Sequence, residues 1–331
     1  MGIRILGAGK YIPPFTASNE DFTKIVETSD EWIVQRTGIS TRHLCAGEAT
    51  YQMGVKAANE AIANAGIDRS EIDLVIATTV SGDFTTPSMA CMAAHDLNIT
   101  GAPCFDINAA CAGFVYALDM AELYLSAGRA KCALIISSEM LSRLTDYSDR
   151  STCVIFADGA GACVVKAENA LYQSYISSEP EGAHRIFAHS APVQNPFTGT
   201  EKYEGQDELF GHGNGRYIHM EGREVYKFAT RAMPYAVEQA CKKAGISVDE
   251  LDLIIPHQAN SRIVQTAAKN MGIPMEKCYI NIDRYGNTSS ACIPIGISEC
   301  MADGRLKKGS KVCLVGFGAG LVYAASVFEW N

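Results

Sequence analysis

Two stretches of the chain repeat each other at a fixed spacing, and that repeat limits the available folds more than any other feature. Residues 61–76 (AIANAGIDRSEIDLVI) and 240–255 (ACKKAGISVDELDLII) share eight identities in register: Ala61, Ala65, Gly66, Ile67, Glu71, Asp73, Leu74 and Ile76 recur 179 positions later. Each copy reads as a helix ended by a glycine, a short polar turn, and an apolar run of strand length. The echo continues from Lys131 (KCALII) to Lys311 (KVCLVG), now 180 positions apart. The chain therefore reads as two similar α/β halves, 1–170 and 171–331, related by a pseudo-twofold. Strands alternating with helices predict mostly parallel sheets covered by helices, with chemistry at the carboxyl ends of the strands.

Residues 176–225 interrupt the repeat and read as an insertion carrying His184, His189, His212, His219 and the Gly211–Gly215 stretch (GHGNG). These histidines lack the spacing of a metal site and read as loop or interface residues. Gly7-Ala-Gly9 and Asp158-Gly-Ala-Gly161 lack the third glycine and the downstream acid of a dinucleotide fingerprint, so they read as tight turns and close packing.

The 331 residues, 47% hydrophobic, can fold without staples. Twelve cysteines, none in a C-x-x-C pair, fit reduced thiols in a cytoplasmic chain rather than a disulfide scaffold or a zinc ribbon. No run approaches the ~18 apolar residues of a membrane span, and Leu6 stands where myristoylation needs Ser or Thr. A net charge of −9 without a dense basic run argues against a nucleic-acid surface.

The chemistry gathers at strand ends. Phe105–Leu118 (FDINAACAGFVYAL) passes from an apolar strand into a helical pattern, which places Cys111 at a helix start. A helix start lowers a thiol's pKa and offers free N–H groups to an oxyanion. His257 ends the second copy of the repeated strand, where the first half has Thr78 (257 − 78 = 179). Gly286-Asn287 precedes the helix start that corresponds to that of Cys111 (290 − 111 = 179). The pseudo-twofold thus brings a Cys, a His and an Asn to one face.

On these residues the sequence resembles the beta-ketoacyl-acyl-carrier-protein synthases III of bacterial type II fatty acid synthesis. The resemblance runs over nearly the whole chain, through 28–39 (TSDEWIVQRTGI), 109–114 (AACAGF), 156–161 (FADGAG), 257–260 (HQAN), 286–289 (GNTS) and 316–320 (GFGAG). It implies a thiolase-like fold layered αβαβα and a homodimer. It also implies a Cys111, His257 and Asn287 triad, and an oxyanion hole from the N–H groups of Cys111 and Ala319. Coenzyme A contacts would fall to Thr28, Trp32, Arg36, Arg150, Asn260 and Arg262, with Trp32 and Arg150 placed to sandwich the adenine. Acyl carrier protein would dock on Lys227, Arg262 and Lys269, the last two sharing one helical face (269 − 262 = 7). Thr86, where some relatives carry Phe, would face the partner subunit's acyl pocket.

The implied reaction needs no cofactor. Acyl-CoA acylates Cys111, malonyl-carrier protein loses CO₂ to an enolate held by His257 Nε2 and Asn287, and the carbanion attacks the acyl-cysteine. Ala319 departs from the family's run of three glycines, so its backbone must accept a Cβ. Other readings remain beside this one: a related Cys enzyme with a different acceptor, a thiolase, or a non-catalytic subunit shaping an acyl tunnel. The C-terminal glycine motif lacks the second cysteine of a thiolase, and the intact triad speaks against a non-catalytic role.

Overall fold

The computed structural model describes residues 2–189, 194–197, 199, 200 and 217–331; His212 and the Gly211–Gly215 stretch lie outside them. The repeat appears as duplicated structure. Helix α2 (Thr50–Ala65) ends on Gly66 at φ 64°, and helix α5 (Gly222–Ala244) ends on Gly245 at φ 70°. This left-handed cap costs glycine nothing. Each cap leads through a single 3₁₀ turn, Arg69–Glu71 or Val248–Glu250, into a strand, β2 (Leu74–Thr78) or β7 (Leu253–Pro256).

The first sheet joins β1 (Gly2–Tyr11), β5 (Asp158–Glu168), β4 (Cys132–Met140), β2 and β3 (Cys104–Ile107) in that order. The second joins β6 (Tyr172–Ser178), β9 (Val322–Glu329), β8 (Lys311–Gly318) and β7. The strands of the first sheet fall between residues 2 and 168, those of the second between 172 and 329. The fifth strand of the first half shrinks in the second to a single parallel bridge, Ile254 to Cys278.

The expectation of mostly parallel sheets is corrected. Strands β4, β2 and β3 run parallel, as do β7 and β8, but β1, β5, β6 and β9 pair antiparallel. The last two strands of the second half are joined by only three residues, 319–321, and so short a link permits only an antiparallel return. The alternation of helix and strand in the repeated segments points to parallel pairing but says nothing of these short connections.

The layers are helix α2, the first sheet, a central pair α4 (Gly113–Ser126) and α7 (Cys292–Ala302), the second sheet, and α5 with α6 (Ser261–Met271). This is the layered thiolase-like fold. The central helices are buried on both sides, and Phe114, Leu118, Ile293 and Ile297 fill the space between the sheets. The early glycine pair serves packing, as expected: a Cβ on Gly9 would stand 2.3 Å from Ala57 O on α2. Gly161 likewise lets β5 meet Pro294 and Ile295 of α7.

Candidate active site

Cys111 occupies a 3₁₀ turn (Ala110–Ala112) directly ahead of α4, beyond the carboxyl end of β3. The equivalent turn of the second half, Ser289–Ala291, leads into α7. Both turns carry a non-glycine residue at positive φ in the same place: Ala110 at 43° and Ser289 at 50°, 179 residues apart. Such backbone costs of order 1–2 kcal/mol, so surrounding contacts must hold it. One of them is Glu139 at the end of β4. Its buried carboxylate accepts from Ser290 Oγ at 2.7 Å, Ser81 Oγ at 2.8 Å and the Val80 N–H at 3.0 Å. Ser290 is the repeat equivalent of Cys111, a correspondence the 179-residue offset had already exposed.

The end of β8 closes over Cys111. A Cβ on Gly318 would lie 2.7 Å from Cys111 N, and one on Gly316 would lie 2.8 Å from Ala112 Cα. Glycine is required there by proximity. Ala319 follows with no positive φ, so its Cβ is accommodated, and Gly320 takes the unusual backbone at φ 131°.

His257 continues β7, with its N–H bonded to Val315 O of β8 at 2.8 Å and its ring edge-on to Phe317 at 5.1 Å between centroids. Burial pushes its pKa down to about 3, against a smaller upward pull from the Ser289 backbone, so the ring is neutral. Asn287 is delivered by Gly286, whose φ of 68° with ψ of −163° suits glycine alone. The Asn287 backbone docks beside Phe156 of the first half, accepting from Ala157 N at 2.9 Å and donating to Ile155 O at 3.0 Å. Its Oδ1 accepts the Ser289 N–H at 2.9 Å. That bond assigns the amide: Nδ2 is left to donate.

Cys111, His257 and Asn287 line one cavity of about 290 Å³, together with Trp32, Arg36 and Asn260. Cys111, Phe156 and Ile186 also line a second cavity of about 480 Å³, which includes Leu141, Phe187 and Ala319. The thiol therefore stands where two cavities meet, one reaching Trp32 and Arg36 and the other Leu141 and Phe187. Ile186, Phe187 and Ile218 belong to the insertion, whose histidines read in sequence as loop or interface residues. An apolar pair between histidines carries no local signal of pocket lining.

The thiol itself corrects an expectation. Its sulfur borders the cavities, but burial pushes the Cys111 pKa up to about 12, outweighing the Ser289 hydroxyl and its own N–H, while Glu139 adds to the rise. A single turn ahead of a helix does not offset desolvation at this depth. The resting group is a thiol.

The outer residues divide. Arg150 and Trp32 come together, but the guanidinium lies 4.9 Å above the indole, with Arg36 at 6.0 Å. An inserted ring needs about 7 Å, two van der Waals contacts, so the sandwich expected from sequence is closed and Arg150 must swing aside to admit one. Asn260 spends its amide on the chain, capping Arg262 N–H and bonding Arg36 O, each at 2.9 Å. Thr28 has a buried hydroxyl without a partner and does not line the cavity of Trp32. Arg262 and Lys269 are exposed on α6, and Arg262 lies 6.0 Å over Tyr226 at the cavity wall. Lys227 is tied to Glu224 at 2.7 Å, which lowers its worth as a free cation. Thr86 is exposed in the loop bearing Phe84 and lines neither cavity of Cys111 in its own chain. His189 and His219 pack against Phe187.

Comparison with known proteins decides the kinship. Residues 105–180 match the family model for 3-oxoacyl-[acyl-carrier-protein (ACP)] synthase III, and residues 241–330 match the model for its C-terminal part. The chain is 42% identical over 331 residues to the beta-ketoacyl-[acyl-carrier-protein] synthase III of Clostridium acetobutylicum, covering 99% of each. The chain belongs to the beta-ketoacyl-[acyl-carrier-protein] synthase III family. The crystal structure of the Aquifex aeolicus synthase III superposes at a TM-score of 0.90, with 38% identity, 99% of this chain and 100% of that one covered. The priming beta-ketosynthase of the R1128 polyketide pathway matches at 0.90 with 31% identity, covering 100% and 96%. As a member of that family, the chain is a condensing acyltransferase.

The raised pKa of the Cys111 thiol gives a testable pH response. Alkylation of Cys111 by iodoacetamide in the free protein, followed by peptide mass spectrometry, is expected to rise about tenfold per pH unit from pH 7 to 9 without levelling. A plateau near pH 7 would show that the turn and its N–H groups outweigh burial.

Proposed function

We propose that this chain makes the first carbon–carbon bond of type II fatty acid synthesis by decarboxylative condensation of an acyl-CoA with malonyl-acyl carrier protein, through an acyl group held on Cys111. The observation that carries the assignment is the meeting of Cys111, His257 and Asn287, from the two halves of the repeat, on one cavity.

In the first half-reaction the Cys111 sulfur attacks the thioester carbonyl as its proton leaves, so the high pKa of the free thiol is met only at the moment of attack. The N–H groups of Cys111 and Ala319 hold the tetrahedral oxyanion, and coenzyme A departs as the thiol. The acyl chain extends into the cavity lined by Leu141 and Phe187. In the second half-reaction the malonyl carboxylate leaves as CO₂, and its electron pair forms a thioester enolate. Asn287 Nδ2 and the neutral His257 ring are the donors for that oxygen. A carboxylate in place of Asn287 would repel it. The enolate carbon then attacks the acyl carbonyl, expelling the Cys111 thiolate, which takes a proton from solvent. The chain and two thioesters supply every group this requires, with no resident cofactor.

For coenzyme A, Trp32, Arg36 and Arg150 form the cationic and aromatic rim once Arg150 has moved. For the acidic carrier protein, Arg262 and Lys269 are exposed cations on α6, Arg262 lying over Tyr226 at the cavity wall. A homodimer fits the open edge of the first sheet at β3 and Phe84, which is 58% exposed. Thr86 lies in that same loop, as a residue facing a second copy would. A cytoplasmic location fits twelve unpaired thiols, and among the described residues no helix is long and apolar enough to cross a membrane.

His257→Ala and Asn287→Ala are each expected to lose at least the ~10²-fold in condensation that follows loss of one oxyanion donor, while acyl-enzyme still forms. Normal condensation by Asn287→Ala would reduce Asn287 to a structural role. Lys269→Glu is expected to raise KM for malonyl-carrier protein and flatten its salt dependence, with acylation by acyl-CoA little changed. An unchanged KM and salt response would put the docking face elsewhere.

A further inference from the structure

The buried side of His257 makes a contact that the reaction above leaves unused. Its Nδ1 lies 3.0 Å from Cys292 Sγ. The same sulfur is 2.9 Å from the Ser289 carbonyl oxygen and accepts the Gln258 N–H at 3.3 Å. Gln258 is itself fixed, its side-chain amide donating to Pro256 O at 2.9 Å and Tyr279 O at 3.0 Å. The sulfur therefore sits in a rigid frame.

The repeat shows that this pair was built where the other half has none. His257 and Cys292 stand at the places of Thr78 and Gly113 (257 − 78 = 179; 292 − 113 = 179). In the first half a Cβ on Gly113 would come within 2.0 Å of Thr78 Oγ1, so that side of the contact stays bare. In the second half both members carry a side chain with a hydrogen-bonding atom.

A neutral imidazole carries one N–H, and the nitrogen that bears it is set by what the other nitrogen meets. Around Nδ1 the single S–H of Cys292 can go to the ring or to the Ser289 carbonyl. The carbonyl already receives the Cys292 backbone N–H and stays satisfied without the thiol hydrogen. The ring nitrogen lies 3.0 Å from the sulfur with a lone pair to fill, although the Ser289 backbone also pulls on the ring. We infer that Cys292 is a positioning residue whose thiol hydrogen, given to His257 Nδ1, holds the ring in the tautomer that presents Nε2–H to the cavity beside Asn287. The inference rests on the reading of His257 as an enolate donor, and it explains how an uncharged histidine can donate there. Phe317 packs edge-on against the ring.

The direct test is the tautomer itself. Long-range ¹H–¹⁵N spectra of protein labelled at its seven histidines, with the His257 signals identified by their loss in His257→Ala, should show Nε2 protonated and Nδ1 bare at neutral pH. Cys292→Ala should move the proton to Nδ1, toward the Ser289 carbonyl, whereas Cys292→Ser, which keeps a hydrogen to give, should not. In kinetics, Cys292→Ala should lose about tenfold or more in kcat for condensation at unchanged KM for malonyl-carrier protein, with acylation of Cys111 within about twofold of normal and Cys292→Ser near the unmodified protein. A proton on Nδ1 in the unmodified protein overturns the inference. So does a Cys292→Ala that slows both half-reactions alike without moving the tautomer, the mark of lost packing. If His257→Ala condenses normally, the donor reading itself fails; if it is inactive while Cys292→Ala condenses normally, the positioning role alone falls.

Discussion

The Ser290 hydroxyl reaches 2.7 Å across the boundary between the two sheets to the buried carboxylate of Glu139, and much of the site hangs on that bond. A buried carboxyl is costly unless its oxygens are filled. Here Ser290, Ser81 and the Val80 N–H fill them. The bond ties the turn ahead of α7 to the end of β4, which fixes Ser289 at positive φ and through it the Asn287 amide and the Cys292 sulfur. The same carboxylate opposes ionisation of Cys111. One carboxylate thus anchors the turn that carries Asn287 and Cys292 and adds to the burial that holds the Cys111 pKa up.

The pseudo-twofold also explains why the two helix starts differ in chemistry while sharing geometry. Ala110 and Ser289 adopt the same strained backbone, but the next residue is Cys111 in one turn and Ser290 in the other. The thiol faces the cavities; the hydroxyl faces Glu139. Glycine at 316 and 318 lets β8 press directly on the Cys111 backbone, so Cys111 is held by main chain on that side and by the start of α4 on the other. A site assembled this way has few soft elements near the reacting atoms.

Much of this was legible before any coordinates. The repeat predicted paired helix, turn and strand units, and its offset aligned Thr78 with His257 and Cys111 with Ser290. The strand directions were not legible, because pairing depends on connections whose length and course are tertiary. The helix start expected to lower the Cys111 pKa is present, but desolvation, which sequence does not supply, pushes the other way. The closed stack of Arg150 on Trp32 and the pairing of Lys227 with Glu224 are rotamer choices, equally invisible in one dimension. Nothing in the neighbours of Cys292 along the chain points to His257; only the offset to Gly113 marks the place.

The central claim is that one thiol among twelve carries the acyl group. Exposure of the protein to acyl-CoA without malonyl-carrier protein, followed by digestion and mapping of thioester-bearing peptides by mass spectrometry, tests it most directly. The account predicts a single stoichiometric adduct on Cys111, discharged when malonyl-carrier protein is added. An adduct on another cysteine with Cys111 unmodified would contradict it.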